Sequence, residues 1–244
     1  MSHHKVLTMA GLAALATIAT PGGTALAGDD RADYTAMSPE QLAEHLIFDA
    51  RGFDLDQKTQ EGGTVRDRLT QDDLQKTCSA LQGKTIEGET AGKVTQMARA
   101  DIVYPEGGIK LGDWKKGEAI ARSGYGYRVG HKTDDHGERD PGGNCYACHQ
   151  LDPEEIAYGT LGPSLTEYGK TRGTAEATLK YVYDVIYSPH AYFPCTRMPR
   201  FGANGVLTQQ QIADVMAYLM HPDSPVNNPD AARSPEGEGG EGSD

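Results

Sequence analysis

The clearest hydrophobic pattern lies near the end of the chain. Thr208 and Gln211 form a capping-box pair, and apolar residues then recur at helical spacing: Ile212, Val215, Met216 and Leu219. The pattern ends at His221 and Pro222, where proline cannot continue a helix. These features predict an amphipathic helix that begins after Thr208.

Two further helical patterns precede it. The stretch LGDWKKGEAIARSG places Trp114, Gly117, Ile120 and Ala121 on one face. The stretches SLTEYGKTRG and TAEATLKYVYDVIYSPHAYF predict one further helix that ends before Pro189. Residues 123–144 between these patterns are rich in Gly, Asp and His, which indicates a surface loop. No stretch predicts a sheet, so the expected class is all-α with long loops.

The region before residue 100 predicts a helical extension. Ser38, Pro39 and Gln41 are typical of a helix start, and Leu42, Leu46 and Ile47 follow on one face. A polar connector, DQKTQEGGTVRD, leads to TQDDLQKTCSAL, a second predicted helix that carries Cys78. We expect residues 28–100 to form an extension that packs on the rest of the chain.

The N-terminal residues predict an exported protein, and the C-terminal residues predict a disordered tail. Residues 1–27 combine a basic start, a short apolar stretch and a small-x-small pattern at Ala25 and Ala27, which is typical of a cleaved signal peptide. No later apolar run reaches membrane-spanning length. Residues 228–244 are an acidic, polar tail that we expect to be disordered. The expected location is the periplasm, as a soluble protein in a compartment that permits disulfides.

Charge narrows the possible partners. The formal net charge is -12, from 23 Lys and Arg against 35 Asp and Glu. No segment of the sequence concentrates basic residues. Nucleic acids and anionic membrane surfaces attract basic proteins, so neither is an expected partner.

The motif Cys145-Tyr-Ala-Cys148-His149 is typical of covalent c-type haem attachment. Positions i, i+3 and i+4 share one side of a helical turn, so both thiols can reach the two vinyl groups of one haem while His149 lies below the iron. A zinc knuckle needs a second ligand pair, and a thioredoxin-like redox pair needs a βαβ context. A disulfide between these two cysteines would close a strained short loop. One covalent haem c is therefore the favoured interpretation.

The sequence offers several candidates for the second axial ligand of the iron. Candidates downstream of the motif are His190, Met198, Met216, Met220 and His221. Met198 is favoured because it lies in a loop immediately before Pro199, while Met216 belongs to an apolar helix face. His190 is the competitor and is otherwise expected on the surface. Ligation by His149 and Met198 would leave no open site for substrate. The carbonyl of Pro163 is the expected acceptor for the other ring N–H of His149.

Two cysteines remain after the haem motif is assigned. In an oxidising compartment Cys78 and Cys195 can pair, which would tie the extension to the loop that carries Met198. The alternatives are two separate buried thiols, or one thiol that serves a partner.

The order of these elements resembles class I cytochromes c. The resemblance covers residues 111–221: an amphipathic helix, the haem motif, Gly-Pro-x-Leu, a loop methionine followed by proline, and a terminal helix. It implies a cytochrome domain over residues 101–227, in which the first and last helices cross closely where Gly117 faces Tyr218.

Within that class the chain resembles SoxX, the small cytochrome subunit of the SoxAX complex in bacterial thiosulfate oxidation. The resemblance lies in residues 144–170, in 187–219 with its MPRFG run, in 221–227, and in the LQKTCSAL stretch of the extension. It implies thioethers at Cys145 and Cys148 and iron ligation by His149 and Met198. It also implies a heterodimer with SoxA, action on the carrier protein SoxYZ, and electron delivery to a downstream soluble cytochrome. Residues 122–144 exceed the equivalent segment of minimal cytochromes c, and their role stays open.

Two other functions fit parts of the sequence. A generic electron shuttle fits the class I pattern alone, although a free shuttle gains little from such a long extension. A haem enzyme with a displaced Met198 would need an acid or base, for which His131, His136 and His190 are the candidates. The expected role is an electron-transfer subunit with no catalytic residue of its own.

Overall fold

A computed structural model describes residues 32–59, 63–81, 83–126, 129 and 140–230. The expected signal peptide, His131, His136 and tail residues 231–244 lie outside these ranges. The α-helices in the described ranges are α1 (Pro39–Glu44), α2 (Val65–Leu69), α3 (Asp73–Ser79), α4 (Gly88–Ala100), α5 (Trp114–Arg122), α6 (Tyr168–Arg172), α7 (Glu176–Tyr187) and α8 (Gln209–Met220).

The predicted all-α class is confirmed. Across the described ranges the only β pairing is an isolated bridge between Lys58 and Thr64. In those same ranges no helix combines the length and the apolar character that crossing a membrane requires.

The chain divides into two units at Leu42. The described part of the first unit, 32–42, contains the short 3-10 helix Tyr34–Ala36 and the beginning of α1. The amide of Ser38 donates to the side chain of Gln41, and the amide of Gln41 donates to the Ser38 hydroxyl, so the predicted capping box is present. The second unit begins at Ala43 and contains all the elements described below.

The core of the second unit is built on the crossing of α5 and α8. A Cβ placed on Gly117 would lie 1.9 Å from the carbonyl oxygen of Asp214 and 2.9 Å from Cβ of Tyr218. Only glycine permits this approach, as the resemblance to class I cytochromes implies. The amide of Gly112 donates to the Ala213 carbonyl at 2.9 Å, which anchors the chain just before α5 on the same helix.

The main apolar core gathers around this crossing. Helices α6 and α7 also pack on α8. The side chain of Thr208 accepts from the Gln211 amide at the start of α8, and His221 ends the helix, as the sequence predicts. The buried residues of this core include Ile120, Tyr146, Leu151, Val182, Tyr183, Phe201, Leu207, Ile212, Val215, Met216, Tyr218 and Leu219.

A second, smaller core joins the segment before α5 to residues 191–195. We call it the extension cluster. It is formed by Leu74, Val94, Ala98 and Ala191, with Cys78, Ile86, Met97, Ile102 and Cys195 packed against them. Helix α4, which supplies Val94 and Ala98, is absent from the sequence prediction because few of its residues are apolar. It packs on the short 3-10 helix Pro189–Ala191.

Cys78 and Cys195 form a disulfide across 117 residues. The bridge joins α3 to the loop of residues 192–201, which we call the Met198 loop. Closing a loop of this length stabilises a folded chain by at most about 4–5 kcal/mol on chain-entropy grounds.

Three local predictions need correction. The stretch expected to be one helix forms two, α6 and α7, because Gly173 ends α6 with a left-handed φ of 69°. The polar connector is not wholly irregular, since α2 begins within it under a Thr64–Asp67 capping box. No residue of α1 or of the π-helical turn His45–Asp49 is buried, so the apolar face predicted there stays at least partly exposed.

Gly117 should be far less tolerant of a side chain than Gly92. Gly117→Ala forces α5 away from the α8 backbone and is expected to lower the free energy of unfolding by about 1–3 kcal/mol. Gly92 lies in α4 with no atom within 4 Å of its ideal Cβ, so Gly92→Ala is expected to be neutral or stabilising by about 0.4–1 kcal/mol. Chemical denaturation of both variants measures the difference, and equal effects would contradict the close crossing.

Candidate haem site

The haem motif follows a loop whose two ends are held together. The amide of Gly142 donates to the Tyr125 carbonyl and that of Asn144 to the Ser123 carbonyl, both at 2.9 Å. A Cβ on Gly142 would lie 1.9 Å from the Ser123 carbonyl oxygen. Residues 123–125, at the end of α5, and residues 142–144, before the motif, are therefore held together. Asn144 then adopts a left-handed φ of 46° and directs the chain into the motif.

The motif itself is a single tight turn. Residues Cys145–Ala147 form a 3-10 helix, and the amides of Cys148 and His149 both donate to the Cys145 carbonyl, at 3.1 and 2.9 Å. This turn places the two cysteines and the histidine at adjacent positions on one side. Neither cysteine belongs to a disulfide.

Tyr146, between the two cysteines, anchors the turn in the core. Its hydroxyl lies 2.7 Å from that of Tyr218 on α8 and accepts from the Asp152 amide at 3.1 Å. The Arg122 guanidinium lies 4.7 Å from the centre of the Tyr146 ring. Burial raises the pKa of both tyrosines, so they remain neutral hydrogen-bonding groups. The turn is thus attached to the helix crossing that organises the fold.

His149 is oriented by the backbone that follows the motif. Its Nδ1 lies 2.7 Å from the carbonyl oxygen of Pro163. The amide of Gly162 donates to the Cys148 carbonyl at 2.8 Å, and a Cβ on Gly162 would lie 2.2 Å from Cε1 of His149. The imidazole therefore rests directly on a glycine backbone. With Nδ1–H donated to Pro163, Nε2 carries the free lone pair that an iron ligand needs.

The motif and the Met198 loop both contact the main apolar core. Cys145, Leu165 and Met198 are partly buried and all pack against the main apolar core. A Cβ on Gly143 would lie 3.2 Å from Sγ of Cys145 and within 4 Å of Phe201 and Leu207. Two thiols, an imidazole and a thioether beside apolar side chains match the donors and surroundings of a covalent haem. The residues present fit this cofactor.

A structural metal site at the motif would need further ligands beside Cys145, Cys148 and His149. Burial raises the pKa of the Cys145 thiol to about 12. Over the part of the chain that the structure describes, no three His, Cys, Asp or Glu side chains gather into a metal site.

The other candidate axial ligands have different environments. Met216 and Met220 are fully buried within α8. His221 is half-buried, and its Nδ1 accepts from the Asp223 amide at 3.2 Å. His190 is not on the surface as expected: it is 8% exposed, and its Nδ1 has no hydrogen-bond partner among the described residues. Burial and the nearby Arg200 lower the pKa of His190.

The Met198 loop contains two features that sequence reasoning missed. Arg200 is only 5% exposed, although arginine is rarely buried. Cys195 adopts a left-handed φ of 57°, which is uncommon for a residue other than glycine. No sequence signal separates the buried Arg200 from Arg197, the other arginine of the same stretch.

A c-type cytochrome is the class of protein that this fold and this site define. A family model described as Cytochrome c matches residues 139–222. An uncharacterized lipoprotein of Aquifex aeolicus (strain VF5) is 42% identical over 163 residues, which cover 64% of this chain and 73% of the relative. Residues 139–222 belong to the cytochrome c family. The chain is an electron-transfer protein with covalently bound haem c, and its fold is that of class I.

The contact of His149 with Pro163 should depend on the absence of a side chain at Gly162. Gly162→Ala is expected to displace the imidazole and break the Nδ1–H donation to Pro163, because the new Cβ would overlap the ring. Proton NMR of the reduced holoprotein measures this as faster solvent exchange of the Nδ1 proton. Gly107→Ala is the matched control, since the nearest atom to its Cβ is Nζ of Lys110 at 3.9 Å. Unchanged exchange in Gly162→Ala would contradict the arrangement.

Proposed function

We propose that the protein is the SoxX-like electron-transfer subunit of a SoxAX complex, which oxidatively conjugates thiosulfate to a cysteine of the carrier protein SoxYZ. The proposal rests on one combination of features. The chain has a cytochrome c domain with a haem motif, and its extension is linked to the Met198 loop by a disulfide. A minimal electron shuttle has no use for such an extension, whereas a subunit of a complex can use it to shape the surface around its cofactor.

The chain would hold one haem c through four side chains. Cys145 and Cys148 would form thioethers, while His149 and Met198 would ligate the iron. The carbonyl of Pro163, 2.7 Å from Nδ1 of His149, keeps the ring in the tautomer that leaves Nε2 free. The bound iron supplies one-electron chemistry by cycling between its ferric and ferrous forms.

The ligand set defines what the chain contributes to the complex. Ligation by His149 and Met198 would leave the iron no position for a substrate and would raise its reduction potential. The described side chains around the motif would bind, orient and shield the cofactor. We infer that the protein acts as an electron carrier within the complex.

The chemistry of the complex sets the number of electrons. Joining the thiol of SoxYZ to the outer sulfur of thiosulfate forms one S–S bond, releases the thiol proton and removes two electrons. The SoxA haem, beside the sulfur chemistry, would receive them and pass them to this chain. Each conjugation therefore requires two one-electron transfers through this chain to a downstream soluble cytochrome.

We place the protein in the periplasm. Covalent haem attachment and the disulfide between Cys78 and Cys195 both belong to an exported protein. The Aquifex aeolicus relative is described as a lipoprotein. Residues 1–27 carry the features of a signal peptide, and cleavage after Ala27 would release the chain described here.

Met198→Ala should remove the far-red charge-transfer band of a methionine–ferric haem, while covalent haem and its mass remain. Met216→Leu is the control, since Met216 is 0% exposed in α8 and leucine preserves the core. Absorption spectra of the oxidised proteins measure the band. A wild type without the band, or a Met198→Ala protein that keeps it, would exclude Met198 as the ligand.

Partnership can be tested by co-purification and by reduction kinetics. A tagged holoprotein purified from its own periplasm is expected to bring SoxA with it in equal amounts. Stopped-flow absorption should show thiosulfate reducing the haem of this chain only when both SoxA and SoxYZ are present, with two reductions per conjugate formed. Reduction that is independent of SoxA would indicate a generic shuttle. Reaction of this chain alone with thiosulfate would instead indicate a haem enzyme with an exchangeable Met198.

A further inference from the structure

We propose that Arg200 is a positioning residue for Met198, and that the segment of residues 72–101 is the support against which it holds the Met198 loop. The inference rests on the proposed ligation by Met198. It assigns roles to Arg200 and to its ion-pair partner Asp72, and it gives the extension a function in supporting the Met198 loop. The haem motif alone requires none of these.

Arg200 joins the loop to both helices of the supporting segment. Its Nη2 lies 2.5 Å from Oδ2 of Asp72, and its Nη1 lies 3.8 Å from Oδ2 of Asp101. Asp72 caps the N-terminus of α3, and Asp101 follows the last residue of α4. One guanidinium therefore bridges the start of the first helix and the end of the second, with a side chain only 6% exposed.

The pair is charged at neutral pH. Burial alone would raise the pKa of Asp72, but hydrogen bonds from the Gln75 amide and from Arg200 keep it below the ordinary value. A buried arginine without a carboxylate partner is strongly unfavourable. The loop therefore has a definite preferred position, in which Arg200 reaches Asp72.

The loop is held on both sides of the methionine. Cys195, three residues before Met198, is bonded to Cys78 on α3, and Arg200 follows Met198 by two residues. Just before the loop, Nε of Arg99 on α4 donates to the Ala191 carbonyl at 3.2 Å. All three attachments lead to the same segment, and the extension cluster fills the space between them.

Two-sided attachment limits how far Met198 can move. A methionine sulfur binds ferric iron weakly, so a loop free to open would expose the iron to exogenous ligands. The apparent affinity of such a ligand is proportional to the fraction of molecules with an open loop. Weakening the Arg200 attachment should therefore raise that affinity, even though Arg200 need not contact the cofactor.

Asp72→Asn is the most informative variant. Asparagine caps a helix as well as aspartate does, so α3 keeps its N-cap while the ion pair with Arg200 is lost. Arg200→Met removes the charge from the other side, and Arg200→Lys keeps the charge without the two-pronged geometry. The control is Lys170→Met, which breaks the exposed Lys170–Glu167 pair on α6, away from the loop.

The measurements are made on oxidised holoprotein. Asp72→Asn and Arg200→Met are expected to bind imidazole on the order of tenfold more tightly than wild type. On heating, both variants should lose the far-red band at a lower temperature than wild type does. The imidazole affinity of Arg200→Lys should lie between that of these two variants and that of wild type. The imidazole affinity of Lys170→Met should equal that of wild type. Hydrogen exchange of the 192–201 amides should accelerate in the first two variants, a readout that does not depend on the iron.

Two outcomes overturn the proposal and are distinguishable. If wild type lacks the far-red band, Met198 is not the ligand, and both this inference and the proposed ligand set fall. If wild type has the band, but Asp72→Asn leaves imidazole affinity and amide exchange unchanged, the proposed function stands and Arg200 has no positioning role.

Discussion

The contact on which the rest of the structure depends is the crossing of α5 and α8 at Gly117. An ideal Cβ there would overlap the Asp214 carbonyl, so the two helices meet backbone to backbone. This approach places Tyr218 where its hydroxyl reaches Tyr146, the residue between the two haem cysteines, at 2.7 Å. The same crossing that forms the core therefore sets the position of the haem motif. A shift of α8 would move the motif with it.

The motif adds its own local constraint. Its 3-10 turn places two thiols on one side, and the backbone of residues 159–163 then folds back against it. Gly159 and Gly162 allow this because a Cβ on either would overlap Ala147 or His149.

Much of this arrangement could be predicted from the sequence because its signals are local. Helix α8 combines a capping box with apolar residues at helical spacing, and the haem motif has a fixed spacing of its own. Helix α4 could not be predicted in this way. Its buried face is small, and it packs on Ala191, roughly a hundred residues further along the chain. The burial of Arg200 and His190 likewise depends on partners that leave no periodic pattern near them.

The two proposed axial ligands therefore differ in how far along the chain their support lies. His149 is oriented by Pro163, 14 residues away, within one continuous stretch of backbone. The Met198 loop is held by Asp72, 128 residues from Arg200, and by a disulfide that spans 117 residues. Because these supports share no residue, the methionine side can loosen while the histidine side stays in place. With Met198 as the proposed ligand, the extension would thus support one ligand only, the one whose bond to iron is the weaker.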